Sequence, residues 1–600
     1  MKVLLSGNEA IALGAWEAGV QYASAYPGTP STEVMERFAQ YPGVRAEWAS
    51  NEKVALDNAI GACFGGARVL AAMKHVGVNV AADSLMSVSY TGVPAAFVLV
   101  TADDPSATSS QNEQDSRRYA QFAKFPCLDP ADSDEGRRFA GLALDVSERF
   151  QTPVMLRSTT RLSHSKSAVE AHVPEEREYE GLPRYDRKVA IARTILPSVA
   201  RRRHPEIEQR LRDLAAWSST EGFERGLHHL RMGDRSVGVV TTGMAYQYVR
   251  ELLPDVSILK LGMSYPVPLE KIREFASQVD QLVVVEELEP IIEEQLVNAG
   301  IAVAHGKDVF PICGELTPAV VRAGAIAAGL LDSVPTPETA PLDIEIPERY
   351  PALCPGCPHR AFFYNVRRYK RKAIVAGDIG CYSMGALPPF TAVDMLISMG
   401  ASIGMAHGFN RAGGQEAAIA VIGDSTFFHS GIAPLASAVY NRANIAVVVL
   451  DNRITAMTGQ QEHPGTGITL QGEAGKDIDI AGVARALGVD FVEEINAWDV
   501  DGVNSILRKA MAHENGPAVV IVRGACVFTP YFKRQPIMRV DPEKCVTCGM
   551  CFNVGCPAIV RSDEIYETSG KRKTAIDPLL CTGCSVCSQV CPVQAIGRAE

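Results

Sequence analysis

The sequence predicts an α/β protein of several domains that ends in a cysteine-rich module. Three observations support this prediction. The chain has 600 residues, far more than one hydrophobic core supports. Apolar runs typical of buried strands alternate with helical periodicity, as in AAIAVIGDSTFFHSGIAPLASAVYNRANIAVVVLDNRI, which reads as a βαβ unit. Of the 15 cysteines, most lie close together near the C-terminus.

Composition excludes several classes of function. The net charge is -11 and no Lys/Arg run is interleaved with aromatic residues, which argues against nucleic acid as a partner. No apolar run approaches the roughly 18 residues of a membrane span. The N-terminal MKVLLSGNEAIALG is a poor secretory signal. We therefore expect a cytoplasmic protein that contacts neither membrane nor nucleic acid, in which clustered cysteines bind metal rather than form disulfides.

The C-terminal cysteines form two runs, CVTCGMCFNVGCP and CTGCSVCSQVCP. The second run has the spacing of bacterial ferredoxins, and the first has one additional residue before its Cys-Pro. Three thiolates spaced by two residues bind one 4Fe-4S cluster, and the remote fourth cysteine binds the other cluster. The alternative is a pair of zinc knuckles, which use pairs rather than triplets of cysteines. The predicted ligand sets are Cys545, Cys548, Cys551 and Cys591 for one cluster, and Cys581, Cys584, Cys587 and Cys556 for the other.

Polar residues follow both predicted strands of the βαβ unit. Gly423-Asp424 ends the first strand, and Asn452 ends the second. Open α/β sheets bind ligands at the carboxyl ends of parallel strands. Oxygen donors there suit Mg²⁺, so we expect Asp424, Asn452 and the carbonyl of Ile454 to coordinate this ion. A Gly-Asp pair without the later asparagine is only a strand-end turn.

The pair GDS and DNRI resembles the GDG…N metal-diphosphate motif of thiamine diphosphate enzymes. The sequence departs from the motif at Ser425, where many members have glycine. This departure keeps the metal ligands and affects only the turn beside the diphosphate. The resemblance implies that thiamine diphosphate and Mg²⁺ bind at Gly423, Asp424, Ser425, Asn452 and Ile454.

Three N-terminal segments, YPGTPSTE, WASNEKVALDNAIGA and MKHVGVNVAADSL, together resemble the pyrimidine-binding domain of 2-oxoacid:ferredoxin oxidoreductases. The resemblance implies that Glu52 hydrogen-bonds the aminopyrimidine ring and activates the cofactor, while Thr29 contacts the substrate or the thiazolium. It also implies that His75, Gly77 and Asn79 belong to a glycine-containing loop that lines the site. Without the resemblance, Glu52 is equally consistent with an acid at a helix start, and His75 with a hydrogen-bonded core histidine.

Four further cysteines match a third cluster site of the same enzymes. The matching features are a CPGC pair, a cysteine in an IGC turn and a later cysteine near the end of the domain. The resemblance implies a proximal 4Fe-4S cluster beside thiamine, which accepts electrons singly. The alternative is that the last of these cysteines is merely buried among apolar residues, which leaves only three ligands. The implied ligands are Cys354, Cys357, Cys381 and Cys526.

The resemblance covers nearly the whole chain and implies thiamine diphosphate-binding folds with a transketolase-like third domain and a C-terminal two-cluster ferredoxin-like module. The third domain is expected to contain the strands in SVGVVTTGMA, SILKLGMSYPVP and QLVVVEELEP. The predicted limits are 1–185 for the pyrimidine-binding domain, 186–232 for a charged linker and helix, 233–333 for the third domain, 334–350 for a linker, 351–535 for the diphosphate-binding domain and 536–600 for the ferredoxin-like module.

This domain order most closely resembles the α subunits of indolepyruvate:ferredoxin oxidoreductases. The implied reaction is the oxidative decarboxylation of an aryl 2-oxoacid, in which coenzyme A takes the acyl group and ferredoxin takes two electrons. A smaller β subunit and an α₂β₂ assembly are implied as well. Three alternatives stay open: the same chemistry on pyruvate or another 2-oxoacid, a non-oxidative thiamine diphosphate decarboxylase or synthase, and an electron-transfer subunit with inactive thiamine folds.

Overall fold

The computed structural model describes residues 2–171, 178, 194–332 and 350–599. The chain divides into two compact units, residues 1–340 and 341–600, and each is described by itself. Residues 334–349 of the predicted linker and residues 186–193 of the charged segment lie outside the described residues.

Strands and helices alternate through most of the first unit. Its strands are β1 Lys2–Ser6, β2 Tyr22–Ala25, β3 Arg45–Trp48, β4 Val69–Lys74, β5 Phe97–Asp103, β6 Cys127–Leu128, β7 Val154–Thr159, β8 Lys166–Glu170, β9 His229–Arg231, β10 Asp234–Thr242, β11 Val256–Leu261, β12 Met263–Tyr265 and β13 Gln281–Val285. Its helices are α1 Gly7–Glu17, α2 Thr32–Phe38, α3 Glu52–Phe64, α4 His75–Thr91, α5 Arg117–Ala123, α6 Ser133–Phe150, α7 Thr160–His164, α8 Pro197–Ser219, α9 Glu221–Glu224, α10 Ala245–Leu252, α11 Leu269–Ala276, α12 Ile291–Asn298 and α13 Pro318–Ala327.

The main sheet of this unit has seven strands in the order β12-β6-β7-β5-β4-β2-β3. All pairs are parallel except β12 with β6. Strands β4 and β5 are buried along their whole length, as expected for a parallel sheet that helices cover on both faces. The carboxyl ends of β2, β3 and β4 therefore lie at one edge of the sheet, where such sheets bind ligands.

A second sheet has the order β13-β10-β11-β9, and β13, β10 and β11 run parallel. These three strands are the ones predicted from the sequence. The remaining strands, β1 and β8, form an antiparallel pair.

Buried charges connect the edge of the main sheet to the end of β13. The guanidinium of Arg117 donates to Glu286 at 2.8 Å and to Asp115 at 2.6 Å, and none of these side chains is more than 1% exposed. Arg157 donates to Asp103 at 2.6 Å. Burial alone would raise the pKa of Asp115, but the two arginines lower it to about 2, so this carboxylate stays ionised. The network therefore joins β5 and β7 to the second sheet through fully desolvated ion pairs.

The second unit begins with a further α/β layer and ends in the cysteine-rich module. Its helices are α14 Arg360–Val366, α15 Ala401–Arg411, α16 Asp424–Thr426, α17 Ile432–Tyr440, α18 Ile480–Ala486, α19 Val500–Met511 and α20 Val586–Gln589. Its strands are β14 Ala373–Ala376, β15 Ala417–Gly423, β16 Ile445–Asp451, β17 Phe491–Asn496, β18 Ala518–Arg523, β19 Met538–Val540, β20 Ile559–Tyr566, β21 Lys571–Ile576 and β22 Ile596–Arg598.

Five parallel strands form the sheet of this unit in the order β14-β15-β16-β18-β17. The predicted βαβ unit is confirmed as β15, α17 and β16, with a π turn, Phe427–Gly431, ahead of α17. Asp424 follows β15 directly and Asn452 follows β16, so both lie at the carboxyl edge of the sheet.

The module after β18 is built from two short antiparallel pairs, β19 with β22 and β20 with β21. Its cysteines lie in the segments between these strands. Of the helices that the structure describes, none is both long enough and apolar enough to span a bilayer.

Candidate functional site

Glu52 is the first residue of helix α3, which follows strand β3 after three intervening residues. The side chain of Asn51 caps this helix by accepting a hydrogen bond from the amide of Val54 at 2.9 Å. An acid in the first helical turn is favoured by the helix dipole, but such acids are normally solvated. Glu52 is only 5% exposed. The cap therefore holds a buried carboxyl group at the ligand-binding edge of the sheet.

Gly77 packs directly against Glu52. A Cβ atom at position 77 would lie 2.6 Å from Cγ and 2.7 Å from Oε1 of Glu52, closer than real Cβ contacts allow. Only glycine permits helix α4 to approach the carboxyl group so closely. Two residues predicted for the site are thus in contact.

The YPGTPS loop connects β2 to α2 and contains Thr29, which is half-buried and joined to Pro30 by a cis peptide bond. The loop is fixed internally, because the Ser31 hydroxyl donates to the carbonyl of Gly28 at 2.9 Å. The loop also packs on the end of β4, because a Cβ atom added to Gly28 would lie 3.2 Å from the Cβ atom of Lys74. The loop therefore lies beside the start of α4.

The expectation of a glycine-containing loop at His75, Gly77 and Asn79 is wrong. Strand β4 passes directly into helix α4, which begins at His75. His75 is 1% exposed, and neither ring nitrogen makes a hydrogen bond of normal geometry. Burial lowers the pKa of this imidazole and keeps it neutral. Asn79 is exposed and accepts a hydrogen bond from the hydroxyl of Tyr119.

In the second unit, Asp424 lies at the centre of a hydrogen-bond network. Its Oδ1 accepts from the amide of Ser425 at 2.9 Å, and its Oδ2 accepts from the amide of Arg453 at 2.7 Å and from Nε2 of His463 at 3.1 Å. The Nδ1 atom of His463 accepts from the amide of Gly465, so the imidazole carries its proton on Nε2. Burial raises the pKa of Asp424, but His463 and the amides lower it below its ordinary value.

The loop after β16 contacts the turn after β15. The amide of Arg453 bridges Asp424 and Asp451, at 2.7 and 3.1 Å. Burial and the neighbouring Asp424 raise the pKa of Asp451 to about 7. Asn452 and Ile454 are 6% and 5% exposed. The predicted metal ligands thus occupy two adjoining turns at the carboxyl edge of the sheet.

Ser425 and Gly423 fix the position of the GDS turn against its neighbours. The hydroxyl of Thr455 donates to that of Ser425 at 2.9 Å, so the serine that departs from the motif joins the two turns. A Cβ at Gly423 would lie 2.5 Å from the ring of Tyr382. The Tyr382 hydroxyl also contacts Thr426 at 2.9 Å. The turn that contains Cys381 is therefore packed against the GDS turn.

The four cysteines predicted for the proximal cluster lie near one another. Burial, together with the neighbouring thiols of the set, raises the pKa of Cys357 to about 12 and that of Cys381 to about 11. The amide of Cys526 donates to the carbonyl of Asn452 at 2.9 Å. This hydrogen bond places the last cysteine of the set next to a predicted metal ligand.

The eight cysteines of the C-terminal module line two separate cavities. Each cavity combines three cysteines of one run with the last cysteine of the other, which is the crossed arrangement that the spacing predicts. Among the described residues, no group of three or more His, Cys, Asp or Glu side chains is arranged to hold a single metal ion. The cavities are lined by Cys545, Cys548, Cys551 and Cys591, and by Cys556, Cys581, Cys584 and Cys587.

Three parts of the chain match known protein families. Residues 13–213 match the family of pyruvate flavodoxin/ferredoxin oxidoreductase thiamine diphosphate-binding domains, and residues 378–522 match the C-terminal TPP-binding domain of thiamine pyrophosphate enzymes. Residues 537–593 match the 4Fe-4S dicluster domain.

Relatives match over nearly the whole chain. Indolepyruvate oxidoreductase subunit IorA of Methanothermobacter marburgensis is 41% identical over 619 residues, which covers 99% of this chain and 97% of the relative. The IorA subunit of Pyrococcus horikoshii is 40% identical over 647 residues and covers 100% and 97%. The chain belongs to the IorA family. Its predicted fold class, with thiamine diphosphate-binding domains and a 4Fe-4S dicluster module, is confirmed, and it is an oxidoreductase subunit.

Among solved structures, a 2-oxoglutarate:ferredoxin oxidoreductase from Magnetococcus marinus, with 2-oxoglutarate, coenzyme A and succinyl-CoA bound, matches this IorA-family chain with a TM-score of 0.44. It is 16% identical and covers 55% of this chain and 65% of its own.

The polar groups of this IorA-family chain fit the cofactors that the matched domains bind. Asp424 and Asn452 place carboxylate and amide oxygens on the two adjoining turns, and such oxygens are the donors that Mg²⁺ prefers. The buried His75 has two ring nitrogens that make no hydrogen bond of normal geometry. Each cavity of the module presents four thiols, the number that a 4Fe-4S cluster takes.

Sequence reasoning missed Asp451 and His463, both of which belong to the Asp424 network. Asp451 ends the apolar run of β16 and was passed over in favour of the asparagine that follows it. His463 lies in the Gly- and Pro-rich stretch EHPGTG, whose contact with Asp424 depends on the path of a long loop. The only available signal was a polar residue type in a loop after a ligand-bearing strand.

Proposed function

We propose that this chain is the α subunit of an enzyme that oxidatively decarboxylates aryl 2-oxoacids, indolepyruvate among them, to the aryl-acetyl-CoA and CO₂. Two electrons then pass to ferredoxin. The observation that supports this best is the hydrogen bond from the amide of Cys526 to the carbonyl of Asn452. This bond joins Asn452, a proposed ligand of the Mg²⁺ that holds the cofactor, to Cys526, a proposed ligand of the proximal cluster that accepts electrons.

Thiamine diphosphate, when bound, supplies an electron sink for the carbanion that decarboxylation leaves. The first unit contributes Glu52, whose buried carboxyl group would hydrogen-bond the aminopyrimidine of the bound cofactor. Neutral His75, whose ring nitrogens make no hydrogen bond of normal geometry, is suited to bind or orient the carboxylate or keto group of a substrate. Thr29 contributes a hydroxyl from the neighbouring loop.

The second unit contributes the groups for the diphosphate. Asp424, Asn452 and the carbonyl of Ile454 supply oxygen ligands to Mg²⁺, which prefers such donors. His463 keeps Asp424 ionised and oriented by donating to it from Nε2. Gly423 lets the turn pack against Tyr382, and Ser425 holds it to Thr455.

Three cysteine sets provide a route for electrons out of the site. Cys354, Cys357, Cys381 and Cys526 form the proximal set beside the diphosphate turns. The CPGC loop touches the second cysteine run, because a Cβ at Gly356 would lie 2.0 Å from the hydroxyl oxygen of Thr582. Neighbouring sets are thus in van der Waals contact through their loops, which allows stepwise transfer through the module to ferredoxin.

The experiment is anaerobic dye reduction by the chain co-expressed with a smaller β subunit. The enzyme receives thiamine diphosphate, Mg²⁺, coenzyme A and a viologen dye, and is offered indolepyruvate, phenylpyruvate, pyruvate and 2-oxoglutarate in turn. We expect reduction that requires coenzyme A and favours the aryl acids. Dye reduction with pyruvate or 2-oxoglutarate alone would contradict the proposed substrate class. Release of CO₂ or aldehyde without dye reduction would contradict the proposed oxidative reaction.

The matched control is Glu52→Ala, which removes the carboxyl group but no cysteine. We expect it to abolish dye reduction while the iron content per chain stays at the wild-type value. Near-normal turnover of this variant would exclude Glu52 from the reaction.

A further inference from the structure

Arg360 is a buried cation between two of the cysteine sets. It begins helix α14, two residues after the CPGCP segment, and is 0% exposed. Its guanidinium donates to the carbonyl of Cys354 at 3.1 Å from Nε and at 2.8 Å from Nη2, and to the carbonyl of Val554 at 3.0 Å from Nη1. The carbonyls of Leu353 and Gly555 complete its hydrogen bonds. The side chain therefore joins the CPGC loop to the first run of the C-terminal module.

Every hydrogen-bond partner of this guanidinium is a neutral backbone carbonyl. Within the described part of the chain, no carboxylate forms an ion pair with Arg360. A buried charge without an opposite charge is costly, so an unpaired arginine in the interior calls for an anion nearby. Arg117, equally buried, has two carboxylates for this purpose. Arg360 has none, and its surroundings must supply the negative charge in another form.

The groups within reach that can supply this charge are the cysteines of two sets, which become thiolates when they bind a cluster. Arg360 lines the same cavity as Cys556, Cys581, Cys584 and Cys587. Its two hydrogen bonds to the carbonyl of Cys354 also place the guanidinium beside the proximal set. It does not line the cavity of Cys545, Cys548, Cys551 and Cys591. Four thiolates around a 4Fe-4S core leave a net negative charge at each occupied set, which is the counter-charge that Arg360 lacks.

We propose that Arg360 is the shared charge-compensating residue of two cluster sites, the one at Cys354, Cys357, Cys381 and Cys526 and the one at Cys556, Cys581, Cys584 and Cys587, and that it raises the reduction potentials of both. The inference rests on the proposed function only in that both sets hold 4Fe-4S clusters. Each reduction adds an electron to a site that is already anionic, in an interior of low dielectric constant. A fixed positive charge stabilises the reduced form more than the oxidised form. One residue thus sets the driving force for electrons that enter the module.

The experiment is a redox titration followed by electron paramagnetic resonance, on the complete chain with its β subunit. Arg360→Met and Arg360→Gln remove the charge, and Arg360→Lys keeps it. Arg367→Met is the matched control, because Arg367 also donates to carbonyls of the same region, those of Pro389 and Asn553, but is only partly buried. We expect the neutral variants to disfavour reduction of two clusters by at least tenfold, which is about 59 mV for a one-electron couple. The third cluster is expected to titrate as in the wild type.

The Lys variant and Arg367→Met are expected to stay within about threefold of the wild-type equilibrium constants, or about 30 mV. Neutral variants that hold all their iron and titrate as the wild type would overturn the proposal. If neither neutral variant takes up iron while Arg360→Lys does, the charge itself is required, which supports the proposal. If Arg360→Lys also fails to take up iron, the residue acts only through its hydrogen bonds and the proposal is wrong. Absence of clusters from the wild-type chain would instead contradict the proposed function.

Discussion

Replacing Gly77 with alanine tests whether the packing of helix α4 against Glu52 is needed for cofactor activation. The new Cβ atom would lie 2.6 Å from Cγ of Glu52, whereas a real Cβ atom in ordinary van der Waals contact lies 3.4–4 Å from its neighbour. The carboxyl group or the helix must therefore move by about 1 Å to restore normal packing. The substitution adds no charge and removes no hydrogen-bonding group, so its effect is confined to this displacement.

The two expected consequences differ in size. Overpacking lowers the free energy of unfolding by about 1–3 kcal/mol, whereas the higher helix propensity of alanine raises it by about 1 kcal/mol. The net loss of stability is therefore small. A displacement of about 1 Å in a catalytic group lowers the rate about 100-fold. We therefore expect Gly77→Ala to fold and to carry its full iron content, yet to show a kcat/KM about 100-fold below that of the wild type.

The assay is dye reduction with the preferred 2-oxoacid, together with the affinity for thiamine diphosphate and the thermal unfolding midpoint. Gly61→Ala is the matched control, because Gly61 lies in the same helix as Glu52 and a Cβ there meets no atom within 4 Å. This control is expected to keep full activity. A Gly77→Ala variant whose kcat/KM and thiamine affinity lie within twofold of the wild type would refute the reasoning.

Three further substitutions probe other parts of the structure. Arg117→Met removes the ion-pair partner of the buried Glu286 and leaves Asp115 only Arg157, at 3.6 Å, so we expect it to destabilise the protein by about 3–5 kcal/mol. Arg118→Met, at an exposed pair, is expected to cost about 0–1 kcal/mol, and equal thermal midpoints of the two variants would contradict this. Asp424→Asn should abolish the Mg²⁺-dependent binding of thiamine diphosphate, measured by calorimetry, without changing the iron content. Normal binding by this variant would exclude Asp424 as a ligand of Mg²⁺. Cys526→Ser should lower iron by about four atoms per chain, whereas the exposed Cys313→Ser should not, and unchanged iron in the former would argue against the proximal cluster.

The parts of the fold that the sequence predicted are those governed by local patterns. The βαβ unit at Asp424 was predictable because apolar runs and helical periodicity agree there, and the strand ends then fix which polar residues meet. The crossed cysteine cavities were predictable because triplet spacing dictates how a chain wraps a cluster.

The missed features depend on contacts between segments that are distant in the sequence. The resemblance implies a loop at His75, whereas the structure has the start of α4 there, and nothing in the local sequence marks a strand that passes directly into a helix. His463 and Arg360 look like ordinary surface residues in the sequence, and only the folded chain shows that one donates to Asp424 and the other is enclosed between two cysteine sets. The buried charge of Arg117 was hidden for the same reason.

The most direct test of the proposed chemistry is to ask whether electrons from an aryl 2-oxoacid reach the clusters of this chain. The oxidised enzyme with its β subunit is mixed anaerobically with indolepyruvate and coenzyme A, without any external acceptor, then frozen and examined by electron paramagnetic resonance. We predict the signals of reduced 4Fe-4S clusters in the wild type and none in Glu52→Ala. Release of CO₂ or aldehyde while every cluster stays oxidised would contradict the proposal and favour a non-oxidative thiamine enzyme.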